Sequence, residues 1–201
     1  IPVEVAMGRL GDGDPGWLYA VVRDVSDQVD REQALTQQRN LFHAVSESNQ
    51  LLVRLPPPEQ VYSEICRIVV EYGGMALAWV GLVDDAGEVE PVARHGEAAD
   101  YVDAIRVTTH PDDPEGRGPT GTAIRQRRHV LNTRVQQDPA MAPWQEPAAE
   151  RGLRSSGAFP IVRGGAVAGA LNIYAGDPDF FGPSQVALFD ELAADMGAAL
   201  T

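Results

Sequence analysis

The sequence predicts an α+β fold, an antiparallel sheet of five to six strands flanked by helices, with a β-hairpin and a long helix ahead of it. Three observations carry that expectation. Helix-period segments are interleaved with short apolar runs bounded by Gly, Pro and Asp. Two pairs of those runs are joined by tight turns, Asp84-Asp85-Ala86-Gly87 and Arg163-Gly164-Gly165, as antiparallel neighbours are. Residues 26–55 hold neither Gly nor Pro, which leaves one uninterrupted helix.

The elements follow in order. Ile1, Val3 and Val5 alternate with Pro2 and Glu4, residues 11–16 form a Gly-, Asp- and Pro-rich turn, and Trp17 to Val25 returns as a second strand. A lone hairpin is marginal in water, so this one is expected to belong to a larger sheet. In the long helix Leu35, Phe42 and Asn49 fall seven apart, with Gln38, Val45 and Leu52 between them. That mixed heptad stripe predicts a parallel dimer helix in its first half and packing on its own domain in the second, with polar residues setting register.

Pro56-Pro57-Pro58 ends the helix, because proline breaks the hydrogen-bond ladder. A helix over Glu59–Tyr72 stops at Gly73-Gly74. Met75 to Val83, containing Trp79, and Glu88 to His95 form paired strands, and Ala98 to Ile105 a short helix. Thr108 to Gly121 is loop, leading into a helix over Thr120–Arg127. His129 to Asn132 is a short strand, Asp138-Pro139 marks loop, and Glu146 to Arg151 is helical. Ser156 to Val162 and Ala166 to Ala175 make a hairpin. Ser184 is expected to N-cap a terminal helix whose apolar positions are Val186, Leu188, Phe189, Leu192, Met196 and Leu200. The first residue is Ile1 and the last helix has no cap after it, so a longer parent protein is expected.

Composition excludes several function classes. A net charge of −13 argues against nucleic acid and anionic lipid as partners. All 16 basic residues are arginine, which removes Schiff-base lysine and the phosphate-loop lysine. The single cysteine, Cys66, falls on an apolar helical stripe, so neither a disulfide nor a thiolate zinc site is expected. His43, His95, His110 and His129 sit in separate elements without metal-ligand spacing. Ser155 and Ser156 lack a nucleophile elbow or a partnered His-Asp pattern, and Gly116-Arg117-Gly118-Pro119 lacks the glycine spacing of a phosphate cradle. From these absences the expectation is that this chain is not itself an enzyme, and no cofactor is named by its residues. A reducing, cytoplasmic setting without membrane contact is expected.

With these residues in hand, the chain resembles a GAF domain of bacterial multidomain signalling proteins. The motifs are Ala78-Trp79-Val80-Gly81-Leu82-Val83, Gly116-Arg117-Gly118-Pro119-Thr120-Gly121, Asp138-Pro139 with Pro143-Trp144, and Arg154-Ser155-Ser156-Gly157-Ala158-Phe159-Pro160. Gly169-Ala170-Leu171-Asn172-Ile173-Tyr174-Ala175 and Pro178-Asp179-Phe180-Phe181 complete the set in order. Residues 1–27 resemble the C-terminal hairpin of a PAS domain, with Asp24-Val25-Ser26 at the junction to a signalling helix.

The resemblance implies a division into a PAS hairpin over 1–27, a signalling helix over 28–52 and a GAF domain over 53–201. It implies a regulatory domain that binds a small molecule and relays its state, as a homodimer through helix 26–55 and the terminal helix, to an output domain. That output is expected to be a GGDEF or EAL cyclic-di-GMP module, with a ligand-free spacer in a sensor histidine kinase as the alternative. Bilin-attaching GAF domains use a cysteine in the central loops, where this chain has none, and GAF-type methionine sulfoxide reductases use several. Ligand-binding residues are expected at Trp79, Thr120, Trp144, Arg154, Ser155 and Ser156. Arg154 beside the two serines suits a carboxylate or phosphate, and Thr120 sits where free helix N–H groups favour anions.

Overall fold

The computed structural model describes residues 1–10, 17–53 and 57–199. The expected turn over 11–16, the helix end at 54–56 and Leu200 lie outside the described residues, as do the side chains of Gln38, Val45, Asn49 and Leu52. The chain divides into two compact units, Ile1–Arg39 and Asn40–Thr201.

In the first unit β1 (Val3–Leu10) pairs antiparallel with β2 (Trp17–Asp24), from Val3 opposite Asp24 to Leu10 opposite Trp17. Apolar side chains are exposed on both faces of the ribbon: Val5 stands opposite Val22, while Val21 alternates to the other side. The helix α1 (Ser26–Val53) begins directly after it. Asp24 sets that start, its carboxylate accepting from the Ser26 backbone N–H at 2.9 Å and the Ser26 hydroxyl at 2.6 Å. Asp27 in the first turn complements the positive end of the helix dipole.

The second unit is built on β3 (Leu77–Val83), β4 (Val89–His95), β5 (Val130–Asn132), β6 (Ser155–Arg163) and β7 (Ala166–Ala175). They form one sheet in the order β4-β3-β7-β6-β5, every pair antiparallel. The α+β expectation is met, with five strands in this sheet. β7 is central and covered on both faces, which is why its second half is a continuous apolar run interrupted by a single amide, Asn172.

Helices α2 (Pro58–Gly73) and α5 (Pro183–Ala199) cover one face. Proline suits the first position of each, where the missing N–H would have no partner. α2 ends at Gly74, whose φ of 70° is open to glycine and whose N–H donates to the Val70 carbonyl. Ile65 and Val69 of α2 and Phe189 and Met196 of α5 meet Val80, Phe159 and Ile173 of the sheet in one core. Phe159 meets Phe189 edge-on at 5.4 Å. α5 seats tightly, since a Cβ at Gly197 would lie 2.1 Å from the Val162 carbonyl oxygen. Leu51 in the last turns of α1 packs against the same core, and His43 stacks with Tyr72 of α2.

The opposite face is covered by α3 (Pro119–Gln126), α4 (Gln145–Glu150) and 3-10 segments at Ala99–Ala104, Pro114–Gly116 and Pro139–Trp144. The short helix expected at Ala98 to Ile105 is present as a 3-10 segment over six residues. Two other sequence expectations need correction here. The loop expected at Asp138-Pro139 opens a 3-10 helix, because the Asp138 carboxylate accepts from the Ala140 N–H at 2.8 Å. Ser184 is not a cap but lies in the first turn of α5, which starts at Pro183. Among the described residues no helix is long and apolar enough to cross a membrane.

Candidate functional site

Antiparallel pairing aligns two rows of side chains across the sheet face opposite α2 and α5. One row is Leu77, Tyr174, Ser156 and Asn132; the next is Trp79, Asn172, Ala158 and Val130. Asn172 is the fixed point of this face. Its buried side-chain carbonyl accepts from the Thr120 hydroxyl at 2.7 Å, and its amide donates to the Ala170 carbonyl at 3.2 Å. The first turn of α3 is thereby tied to the middle of the sheet.

Over Tyr174, the residues Val107, Gly118, Thr120, Met141 and Trp144 enclose a cavity of about 10 Å³, room for about one water. Trp144 forms its lid. The indole N–H donates to the Arg106 carbonyl at 3.0 Å. The ring lies so close over Gly118 that a Cβ there would come within 2.3 Å of it. A groove of about 270 Å³ runs beside β4, lined by Trp79, Val89 and Pro91. Ile105 and Val107 line both spaces, so the segment 105–107 is the wall between them.

Arginine side chains hold the surrounding loops. Arg125 of α3 donates to the carbonyls of Thr109 at 2.9 Å and Gly116 at 2.6 Å, and Arg117 to those of Pro111 and Asp112. The Asn132 amide donates to the Asp138 carboxylate, fixing the segment that carries Trp144 to strand β5. Glu88 accepts from Arg106 bidentately, from Nε and Nη2 along one guanidinium edge, at the rim of the groove.

Burial raises the pKa of Tyr101 and Tyr174, so both phenols stay protonated and available as donors. Both rings meet edge-on at 5.2 Å. Trp79 and Tyr101 border the Tyr174 hydroxyl, yet neither the Trp79 Nε1 nor the Tyr101 hydroxyl reaches a partner in hydrogen-bonding geometry. Cys66 lies on the other side of the sheet, in the core under α2, where burial pushes its thiol up to about 12. Among the described residues no group of three or more His, Cys, Asp or Glu is placed to hold a metal ion.

The six residues expected at the site do not all converge. Thr120 and Trp144 line the cavity, and Trp79 stands beside Tyr174 with its ring along the wall of the outer groove. Ser156 is buried in the same row as Tyr174. Strand alternation sends Ser155 to the other face, where its hydroxyl donates to the Asp177 carbonyl at 2.6 Å. Arg154 is exposed and outside the cavity, its backbone N–H donating to the Ala175 carbonyl. Thr120 spends its hydroxyl on Asn172.

Tyr101, Tyr174, Asn172 and Gly118 were not anticipated. Asn172 carried a signal, being an amide inside an otherwise apolar strand, where a buried polar group demands a partner. Tyr174 follows from it at the next position on the same face. Gly118 was visible only as one glycine of the Gly116–Gly121 motif, and Tyr101 had no signal, because its place depends on how an irregular segment folds back.

A family model described as GAF domain matches residues 56–201. The chain belongs to the GAF domain family. GAF domains are sensory and regulatory domains of signalling proteins. A solved GAF domain from a phosphoenolpyruvate-protein phosphotransferase of Coxiella burnetii superposes with a TM-score of 0.67 at 20% identity, covering 81% of this chain and 93% of that one. The GAF domain of A. aeolicus nlh2, in an inactive state, gives 0.62 at 15% identity over 81% and 96%. The free methionine-R-sulfoxide reductase of Neisseria meningitidis, solved with its substrate, gives 0.66 at 17% identity over 80% and 87%. No curated protein matches the chain.

The last of these structures overturns the expectation that the chain is not an enzyme. The same GAF fold carries a reductase, so the claim of no catalysis does not stand. It failed because it counted familiar catalytic patterns along the sequence. Chemistry resides in whatever side chains a fold assembles in its pocket, and a shared architecture accommodates several functions.

Proposed function

We propose that this GAF domain is the sensory module of a bacterial signal-transduction protein and binds a small molecule between its sheet and the segment bearing Trp144. The observation that carries this reading is the cavity over Tyr174, lined by Trp144 with its indole latched to Arg106 and separated from an outer groove by residues 105–107. Binding sites are commonly apolar spaces with a few fixed polar groups, and this one matches that description once the lid moves.

In this proposal residues 1–27 are the terminal hairpin of a PAS domain, 28–52 a signalling helix and 53–201 the GAF domain. The ribbon exposing apolar side chains on both faces supports a larger sheet around it. Leu35 and Phe42, 66% and 73% exposed at a heptad interval, support a homodimer through α1, with α5 as the second dimer helix. Ligand occupancy would shift the balance between two helix arrangements and so reach an output domain in the same cytoplasmic protein, GGDEF or EAL by the family resemblance.

A second reading, a ligand-free dimerising spacer of a sensor histidine kinase, is favoured by the small size of the closed cavity. Thermal unfolding against a panel of metabolites and nucleotides separates the two. Reproducible stabilisation by a panel member supports the sensory reading. No stabilisation by any of them leaves the spacer.

A further inference from the structure

Among the described residues of this unit, four buried polar atoms on the cavity side of the sheet have no hydrogen-bond partner: Trp79 Nε1, the Tyr101 hydroxyl, Arg151 Nε and the Ser156 hydroxyl. Trp79 and Tyr101 are both fully buried. Tyr101 meets the Tyr174 ring edge-on, and Trp79 stands on the neighbouring strand, one row along. Tyr174 itself lines the cavity, and Trp79 and Tyr101 border its hydroxyl from behind, so the cluster lies beneath the cavity floor.

The hydrogen-bonding capacity of this cluster is unbalanced. An indole N–H can only donate, and each phenol brings one more donor with a weakly basic oxygen. The cluster therefore has more donors than it has good acceptors. An unmet buried donor is a standing cost to the empty fold, and an incoming acceptor removes it.

Charge narrows the occupant further. Among the described residues no Asp, Glu, Arg or His lines the cavity. The guanidinium that acts on Tyr101 is that of Arg151, whose charge is met at its Nη atoms by Asp100 at 2.9 Å and Glu150 at 3.3 Å, leaving only the buried Nε without a partner. An ion placed over Tyr174 would lose its hydration without gaining a counter-charge.

We propose that the cavity takes a compact, uncharged molecule and holds it through an acceptor oxygen facing Trp79, Tyr101 and Tyr174. This rests on the small-molecule reading above and names the chemical class of its ligand. Ser156, paired with Tyr174 across the sheet, offers a hydroxyl to a second polar edge. Movement of the wall at residues 105–107, freed when Trp144 releases Arg106, would join the cavity to the outer groove, which supplies the volume the closed form lacks and whose charged lining residues Glu88 and Arg106 are paired with each other.

The test uses three five-membered-ring probes: 2-pyrrolidinone, cyclopentanecarboxylate and cyclopentylammonium. Thermal unfolding is followed together with the indole N–H signals of the protein, which has three tryptophans. The expected result is a rise in melting temperature with 2-pyrrolidinone and a downfield shift of the indole signal that Trp79→Phe deletes. Both charged probes should produce neither. Tyr101→Phe removes one hydroxyl, keeps the ring, and should weaken 2-pyrrolidinone binding several-fold, so the test stays readable if Trp79→Phe does not fold.

Equal stabilisation by a charged probe, or unchanged 2-pyrrolidinone binding in Tyr101→Phe, overturns the chemical class while leaving the small-molecule reading intact. The class falls in the same way if members of the metabolite panel stabilise the protein but 2-pyrrolidinone does not. If neither the probes nor the panel stabilise it, the small-molecule reading falls and the class with it.

Discussion

The Thr120 hydroxyl donates to the side-chain carbonyl of Asn172 at 2.7 Å, and this bond joins the start of α3 to the central strand of the sheet. Both residues are buried. The cavity lies directly beside it, since Thr120 also lines that space. Thr120→Val should leave the Asn172 oxygen without its partner and cost about 1–3 kcal/mol. Thr120→Ser keeps the donor and should lose less. Equilibrium urea unfolding of both variants checks this, and equal losses would show that packing of the threonine methyl matters more than its hydroxyl.

Gly118 governs the position of Trp144. A methyl group there would sit 2.3 Å from the indole ring, inside contact distance. Gly118→Ala is therefore expected to push the lid outward, break the bond from the indole to Arg106, and destabilise the fold by about 1–3 kcal/mol. Loss of the downfield Trp144 indole proton signal reports it directly. An unchanged signal would mean the lid accommodates the methyl group elsewhere.

Leu35 and Phe42 are apolar side chains largely exposed on α1. If they form a dimer seam, replacing both with Glu should turn a dimer into a monomer while the sheet unit keeps its melting temperature. Sedimentation velocity gives the answer. A native protein that is already monomeric removes the main support for signal relay through paired helices.

Asp24 makes the start of α1 sensitive to acid. Its carboxyl is held below the usual range, chiefly by the Ser26 hydroxyl and then by the Ser26 N–H. The unfolded chain would titrate near the ordinary value of about 3.9. The contribution to folding is thus complete above that value and is lost as pH falls through the lower native one. Amide exchange at Ser26 should accelerate below about pH 4 in the native protein, and Asp24→Ala should show fast exchange at every pH. Identical profiles in the two proteins would refute the capping role.

The sequence made the helix-side architecture legible because that side obeys simple periodicity. Ile65, Val69, Phe189 and Met196 recur at helical spacing, and proline or glycine marks where each helix starts or stops. The cavity side obeys no such rule. Its walls are 3-10 turns and loops held by Arg117, Arg125 and Asp138, whose partners are backbone carbonyls and N–H groups with no sequence signature. Ser155 and Ser156 show the limit within a regular strand. Adjacent in sequence, they looked like one site with Arg154, and alternation divided them between the two faces.

The same alternation in β7 has a consequence for how such a domain diversifies. Leu171 and Ile173 belong to the core under the helices, whereas Asn172 and Tyr174 belong to the cavity. Side chains on one face can be exchanged while those on the other keep their packing. Selectivity for a new molecule can therefore drift through generations of substitutions at one set of positions, without retuning the part that bears on the helices.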